Sequence, residues 1–174
     1  MRVWDDNFTG DERVYYTFHI NKIQPFPLPN GPILDWGCSI GKTTEDLVRI
    51  YPGRRIIGID INPHVIEIAK SRGLECYCMD GCEIKEKLPG PYAGIFAMNN
   101  LAYGLKNNQI TEDQFKQIIG SLVDCLIDDG YLILSKDFQL WIYGKREKGL
   151  VYCTPVASFG KLKNIRELIS SVQD

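Results

Sequence analysis

The stretch PILDWGCSIGKTTEDLVRIY, residues 32–51, decides the fold of this chain. Pro32 to Trp36 is short and apolar, which predicts a buried strand, and residues 37–41 contain two glycines, which predict a tight turn. Thr43 to Tyr51 has an acidic first turn and a Pro-Gly pair after its end, which predicts a helix. A strand, a turn and a helix in this order form the opening unit of an alternating α/β domain.

The same alternation continues along the chain. Further strands are predicted at Arg55 to Asp60, Leu74 to Met79, Tyr92 to Met98 and Tyr131 to Ser135, and helices after the N-cap residues Asn62 and Thr111. Apolar strands separated by helices form a mostly parallel sheet that is covered on both faces. The predicted fold class is therefore α/β, a doubly wound, mostly parallel, Rossmann-like sheet flanked by helices. Ligands bind such sheets at the carboxyl ends of the strands, so we expect the site at the turn 37–41.

The pattern changes near the C-terminal end of the sequence. Asp129-Gly130 predicts the turn that leads into the fifth strand. Beyond it, Gly149 to Thr154 predicts one more strand, and Lys161 to Val172 predicts a last helix with one apolar face. We therefore expect the sheet to be reduced or rearranged at this end. No repeat or linker divides the chain, which predicts a single domain over residues 1–174.

Composition restricts the partners of the chain. Its 174 residues are 44% hydrophobic and 24% charged, as in an ordinary globular domain. The net charge of −2 argues against nucleic acid as a partner. No apolar run approaches the ~20 residues that span a bilayer, and no secretory signal is evident. We therefore expect no membrane partner and a cytoplasmic location.

The six cysteines do not have a standard zinc spacing. Cys76 and Cys78 alternate along the predicted third strand, as two small buried residues would. We therefore expect free, buried thiols and no metal site.

Several motifs compete for the segment LDWGCSIGKTT, residues 34–44. The phosphate loop GxxxxGK(S/T) would use Gly41-Lys42-Thr43, but Gly37 lies one residue too close for that loop. The nucleophile elbow GxSxG is matched by residues 37–41, yet only about thirty residues precede it, and His64 follows the second strand directly. The dinucleotide fingerprint GxGxxG is not present. A phosphate-loop-like nucleotide-binding protein stays open as an alternative.

A fourth motif is followed by its partners in sequence order. LDWGCSIG resembles the first motif of the class I S-adenosylmethionine-dependent methyltransferases, an acidic residue and then a glycine-rich turn, with Ser39 in place of the middle glycine. IIGIDINPHVIEIAK resembles the second motif and places Asp60 at the end of the second strand. Asp80 ends the third strand, Asn99 ends the fourth, and DDGYLIL introduces the fifth. The resemblance covers residues 32–136 and implies S-adenosylmethionine as cofactor and a methyltransferase activity.

The motif positions define a candidate cofactor site. Asp60, nineteen residues after Gly41 at a strand tip, can accept hydrogen bonds from both ribose hydroxyls. Backbone N–H groups of the turn at a helix start favour the carboxylate of the methionine moiety. The resemblance implies further that Asp35 faces the cofactor's amino group, directly or through water. The expected cofactor-binding residues are Asp35, Gly37, Cys38, Ser39, Gly41, Asp60, Ile61, Asp80, Gly81, Cys82 and Asn99.

The roles of the last five follow the same resemblance. Asp80, Gly81 and Cys82 would contact the adenine through an acidic oxygen and backbone N–H groups. Ile61 would pack on the adenine face. Asn99 would lie beneath the methionine moiety and use its backbone carbonyl.

The acceptor is expected to be a small molecule. Its pocket is predicted to form from the N-terminal segment 1–30 and the loop Asn99 to Asn108. Aromatic side chains available there are Trp4, Tyr15, Tyr16, Phe18 and His19. His19 and Tyr103 are the titratable candidates, although an activated sulfonium methyl requires a base only if the acceptor must lose a proton. The alternative is a S-adenosylmethionine-binding module without catalysis that acts as a partner or sensor.

Overall fold

We describe the protein from a computed structural model. The structure describes residues 27–106, 109–136, 139–147 and 149–156. The predicted helix from Lys161 to Val172 and nearly all of the segment 1–30 lie outside these residues.

Strands and helices alternate through the first two thirds of the described chain. The strands are β1 Ile33–Trp36, β2 Ile56–Asp60, β3 Cys76–Cys78, β4 Tyr92–Met98, β5 Leu126–Lys136, β6 Gln139–Arg146 and β7 Gly149–Val156. The helices are α1 Lys42–Ile50, α2 Pro63–Ser71, α3 Ile84–Lys87, α4 Leu101–Lys106 and α5 Glu112–Asp124, with a 3-10 helix at Gly81–Glu83.

The strands form one sheet in the order β3-β2-β1-β4-β5-β6-β7. The pairs from β3 to β5 are parallel, and β6 and β7 are antiparallel to their neighbours. The strand order reverses between β1 and β4, which is the position where ligands bind in such sheets. The predicted doubly wound, mostly parallel α/β sheet is confirmed.

Alternate residues of β1 point to opposite faces of the sheet, as strand geometry requires. Leu34 packs with Phe115 and Leu122 of α5 in one buried cluster, and Ile33 packs with Leu47 of α1 in another. Helices therefore cover both faces, and the turns at the carboxyl ends of the parallel strands lie together along one edge.

Local capping fixes where two helices begin. At α2 the side chain of Asn62 accepts a hydrogen bond from His64 N–H at 3.0 Å, and Pro63 is the first helical residue. At α5 Gln114 N–H donates to Thr111 Oγ1 at 3.2 Å, and Thr111 N–H donates to Gln114 Oε1 at 2.8 Å. Both predicted caps, including the capping box, are confirmed.

The C-terminal end of the sheet differs from the prediction. The expected reduction is wrong, because β6 lies between β5 and β7 and both antiparallel strands are present. Lys136 pairs with Gln139, so β5 and β6 form a tight hairpin. In β6 Leu140 and Ile142 face one cluster, and Trp141 and Tyr143 face the other. Because both faces are apolar, the alternation of polar and apolar residues that would have revealed a strand is absent.

Other boundaries also shift. The predicted loop Asn99 to Asn108 contains helix α4, and Asp129-Gly130 lies within β5 instead of starting it. The register of β5 against β4 is irregular there, and Asp129 has a φ of 63°. β3 spans only three residues and is one of the two edge strands of the described sheet.

The cysteines are free, but only some are buried. Cys38, Cys76 and Cys125 are buried, whereas Cys78 and Cys82 are exposed. The expectation of buried thiols is therefore wrong for Cys78, in the edge strand β3, and for Cys82, in the 3-10 helix after it, and Cys153 is only partly buried. Among the described residues, no group of three His, Cys, Asp or Glu side chains is arranged to hold a metal ion. No helix in this part of the chain has the length and apolar character to span a membrane.

We expect Thr111→Ala to lower the free energy of unfolding by about 1 kcal/mol, because it removes the side-chain acceptor of the α5 capping box. Chemical denaturation monitored by circular dichroism measures this change. Gln117→Ala, at an exposed position within α5, is the matched control and should leave stability nearly unchanged. Equal stability of Thr111→Ala and the unmodified protein would contradict the capping role.

Candidate functional site

The turn between β1 and α1 folds back onto the end of β2. The N–H groups of Gly37 and Cys38 both donate to the carbonyl of Ile59, at 2.8 and 2.9 Å. Gly37 has a φ of 74° and Gly41 a φ of 83°, in the left-handed region that glycine adopts without strain. The glycines therefore allow the chain to reverse within five residues.

Ser39 joins this turn to the acidic end of β2. Its N–H donates to Asp60 Oδ2 at 3.0 Å, and Asn62 N–H donates to Asp60 Oδ1 at 2.9 Å. One N–H group thus orients each oxygen of the carboxylate. The glycine-rich turn and Asp60, predicted to converge, lie in direct contact at the carboxyl edge of the sheet.

The turn also satisfies most of its own donors. Gly41 N–H donates to the carbonyl of Cys38 at 2.9 Å, so the N–H groups of Gly37, Cys38, Ser39 and Gly41 all donate within the protein. The sequence had suggested these groups for the carboxylate of the methionine moiety. In the structure they hold the shape of the turn, and α1 begins directly after it at Lys42.

Asp35 is enclosed beneath the turn. It is 1% exposed, and its Oδ2 accepts a hydrogen bond from Thr44 Oγ1 at 2.7 Å. The backbone N–H of Thr44 donates to the same carboxyl group. Gly41, the N-cap residue of α1, has no side chain, so Asp35 supplies the capping oxygen from β1. This burial favours the indirect contact with a cofactor amino group, through water, over the direct one.

Burial, with a smaller contribution from the nearby charge of Asp60, raises the pKa of Asp35 to about 7, although the hydrogen bonds from Thr44 act in the opposite direction. The ordinary pKa of this carboxyl is 3.8. Because the folded state binds a proton that the unfolded state releases, the free energy of unfolding falls as the pH rises from about 4 to about 7.

We expect Asp35→Asn to reduce this pH dependence. The asparagine cannot ionise, so the decline attributable to Asp35, which approaches about 1.4 kcal/mol per pH unit, should disappear. Denaturation of both proteins between pH 4.5 and 8 measures the difference. Asp128→Asn, at an exposed aspartate, should behave like the unmodified protein. An unchanged slope in Asp35→Asn would contradict the protonated carboxyl.

The loop after β3 is held by its own aspartate and by a tryptophan of β1. Cys82 N–H donates to Asp80 Oδ1 at 2.9 Å, so Asp80 caps the 3-10 helix. Trp36 Nε1 donates to the carbonyl of Gly81 at 3.4 Å, and a Cβ at Gly81 would lie 2.6 Å from Cζ2 of the indole. Gly81 is therefore required for contact with Trp36. Ile61, 39% exposed, presents apolar surface after β2.

The end of β4 has a left-handed residue and contains an unsatisfied acceptor. Asn99 N–H donates to the carbonyl of Ser135 at 3.0 Å and to its Oγ at 3.1 Å, and Asn99 has a φ of 55°. Its side-chain Oδ1 is buried and has no hydrogen-bond donor in the described part of the chain. Asparagine adopts this left-handed conformation more readily than other non-glycine residues, so the bonds to Ser135 hold it at a small backbone cost.

The acceptor side of the site is only partly described. Tyr103 lies in α4, and its side chain is outside the described residues. The predicted aromatic cover also lies outside them, namely Trp4, Tyr15, Tyr16, Phe18 and His19.

Sequence reasoning missed three residues that build the site. Thr44 bonds Asp35, Trp36 covers Gly81, and Asn100 contacts the turn from the end of β4. Thr44 lies three residues after the N-cap Gly41, where a capping hydrogen bond is expected. This spacing could have predicted that Thr44 donates to a nearby acceptor. For Trp36 and Asn100 the partners are distant in sequence, and no local pattern indicates them.

Fold and site together define a doubly wound α/β domain in which an acidic strand end meets a glycine-rich turn at the edge where such domains bind ligands. The chain matches the family model of the methyltransferase domain over residues 33–127, more than half of its length. It belongs to this family of methyltransferase domains. The resemblance to the class I S-adenosylmethionine-dependent methyltransferases is thereby confirmed, and S-adenosylmethionine is the cofactor of that class.

Individual proteins show the same likeness. The chain is 31% identical over 103 residues to malonyl-(acyl-carrier protein) O-methyltransferase of Bacillus anthracis, covering 59% of this chain and 36% of that protein. It is 26% identical over 108 residues to trans-aconitate 2-methyltransferase of Sinorhizobium fredii, covering 62% and 39%. The chain thus spans well under half the length of these curated relatives. A S-adenosylmethionine-dependent methyltransferase from Clostridium acetobutylicum shares its fold, with a TM-score of 0.60, 14% identity, and coverage of 92% and 79%.

Proposed function

We propose that the protein binds S-adenosylmethionine at the carboxyl edge of its sheet and transfers the methyl group to a small-molecule acceptor. The hydrogen bond from Ser39 N–H to Asp60 Oδ2 carries this proposal, because it joins the turn and the acidic strand end into one surface. Membership of the methyltransferase domain family supports the type of reaction. We treat residues 1–174 as one domain in this proposal.

The residues at this edge fit the chemistry of the cofactor. Asp60 is suited to the ribose hydroxyls, because a carboxylate is a charged acceptor with two oxygens in one plane. The 3-10 helix beginning at Gly81 and the exposed Ile61 supply polar and apolar surface for an adenine. The buried Oδ1 of Asn99 would gain a donor from a bound molecule.

Charge supports a cationic ligand at the same place. Asp35 and Asp60 interact electrostatically, and the repulsion between them is one reason why the pKa of Asp35 is raised. An ammonium or sulfonium cation near this pair would relieve the repulsion and favour the ionised form of Asp35. The two carboxyls therefore favour a cationic ligand over an anionic one.

The side chains have a modest chemical task. When bound, the cofactor supplies a methyl group that its sulfonium has already activated. The turn and Asp60 orient the ligand, and the loops after β3 and β4 border it, so that an acceptor can be held in line and water excluded. An acceptor that is already anionic needs no general base. We therefore assign no catalytic side chain, and His19 and Tyr103 stay predictions.

The nature of the acceptor is inferred from the relatives. Their names give malonyl-(acyl-carrier protein) and trans-aconitate as the molecules that they methylate. These names favour a small molecule or a small carried group, and they support the prediction against nucleic acid. A cytoplasmic location stays a prediction from the sequence.

Two alternatives lose their support. The module without catalysis was suggested by a reduced end of the sheet, and both antiparallel strands are present. A phosphate-loop nucleotide-binding protein conflicts with the family match. In addition, Lys42 Nζ lies 3.9 Å from Glu45 Oε2 and forms an ion pair with it on α1. Methyl transfer is thus the function best supported.

The first test addresses the cofactor. We expect Asp60→Ala to weaken the binding of S-adenosylhomocysteine by at least about 2 kcal/mol, roughly thirtyfold, because ribose and turn lose a charged acceptor. Isothermal titration of the whole protein measures the affinity. Asp128→Ala, an exposed aspartate in β5, is the matched control. Unchanged affinity in folded Asp60→Ala protein would overturn the ribose assignment.

The second test addresses catalysis. Methyl-labelled S-adenosylmethionine is incubated with the protein and with malonyl thioesters, trans-aconitate or a protein-free extract of small molecules. We expect label in at least one acceptor, equimolar S-adenosylhomocysteine, and loss of both in Asp60→Ala at subsaturating cofactor. If the protein binds S-adenosylhomocysteine but labels nothing in any pool, the module without catalysis replaces the enzyme.

A further inference from the structure

Asn100 connects the end of β4 to the glycine-rich turn. It follows Asn99 and directly precedes α4. Its Nδ2 donates to the carbonyl of Trp36 in a short contact and reaches the carbonyl of Gly37 at 3.4 Å. These carbonyls belong to the last residue of β1 and the first residue of the turn, 64 and 63 positions earlier in the chain.

The remaining polar groups of Asn100 start the helix. Its Oδ1 accepts a hydrogen bond from Leu101 N–H at 2.5 Å, and its backbone carbonyl accepts one from Gly104 N–H at 2.8 Å. Because Oδ1 is bonded to the helix, the amide is oriented with Nδ2 towards the turn. One side chain therefore ties α4 to the exit of β1.

Gly37 provides the space that this side chain occupies. A Cβ at position 37 would clash with Nδ2 of Asn100 and would lie 3.0 Å from its Cγ and 3.3 Å from its Cβ. The first glycine of the motif is thus needed for a protein contact in addition to its left-handed φ. The amide covers the start of the turn where the strand order reverses.

We propose that Asn100 is a positioning residue that holds the start of the glycine-rich turn, residues 37–41, in the conformation that binds the cofactor. The inference rests on the proposed function. The conformation of the turn affects cofactor binding because the same turn aligns Ser39 with Asp60. The carbonyl oxygens of Trp36 and Gly37 both lie near Nδ2 of Asn100, and the N–H groups of this amide offset the repulsion between the two oxygens. Without this donor the start of the turn would relax, and the ligand would have to restore its shape at a cost in affinity.

A purely structural role would be confined to the helix start. An aspartate has a side-chain oxygen at the same position, so Asn100→Asp keeps the acceptor for Leu101 N–H. The variant loses the donor, and above the pKa of the new carboxyl it places a negative charge against the carbonyls of Trp36 and Gly37. A positioning role therefore predicts weaker ligand binding in Asn100→Asp, whereas a role confined to the helix start predicts unchanged binding.

The experiment compares Asn100→Asp, Asn100→Ala and the unmodified protein by titration with S-adenosylhomocysteine at pH 8. At pH 8 we expect roughly tenfold weaker binding in Asn100→Ala and a larger loss in Asn100→Asp. Asn30→Asp, at an exposed asparagine beyond the other end of β1, is the matched control.

A second readout does not require a ligand. Hydrogen exchange of the free protein, followed on a peptide over residues 33–44, should be faster in Asn100→Asp at pH 8 while exchange in α5 is unchanged. Binding and loop exchange like those of the unmodified protein in Asn100→Asp at pH 8 would overturn the inference. If the unmodified protein does not bind S-adenosylhomocysteine, the proposed function fails, and hydrogen exchange still decides the role of Asn100.

Discussion

The backbone hydrogen bond from Ser39 to the carboxylate of Asp60 is the contact on which the rest of the site depends. It couples a turn that follows β1 to an acid that ends β2, two elements that parallel pairing brings side by side. The carboxylate of Asp60 therefore borders the site and also stabilises the turn. A ligand that binds Asp60 also acts on the loop, because both partners use the same carboxylate.

Glycines at this edge accept side chains from other elements. Asn100 lies over Gly37, and Trp36 lies over Gly81, each at a distance that a Cβ would prevent. Such close contacts substitute protein atoms for the missing side chains and fix the loops against each other. Ser39, where the family motif has a glycine, has no comparable requirement for space in the structure, but it has a φ of 49° and bears that conformational cost.

The elements with a strong local signal could be predicted from the sequence. β4 was predicted with its observed bounds because all seven of its residues are apolar or glycine and buried, and the cap at Thr111 was predicted because its bonds span three residues. The hairpin strand Gln139–Arg146 was missed, since it is apolar on both faces. The contact of Asn100 with Trp36 crosses 64 positions, and only the assembled sheet order produces it.

Asp35 and Asp60 show how burial gives two neighbouring carboxyls different tasks. Asp60, partly exposed and bonded to two backbone N–H groups, is available at the surface of the site. Asp35, enclosed and bonded to Thr44, has its pKa raised to about 7 and so shares a proton with the solvent near neutrality. The raised pKa of Asp35 therefore reduces the negative charge of the pair, and a cation that binds there would favour the ionised form of Asp35. Because the same carboxyl caps α1, its ionisation also strengthens the bonds from Thr44, so that ligand charge and the anchoring of the helix are linked through one buried group.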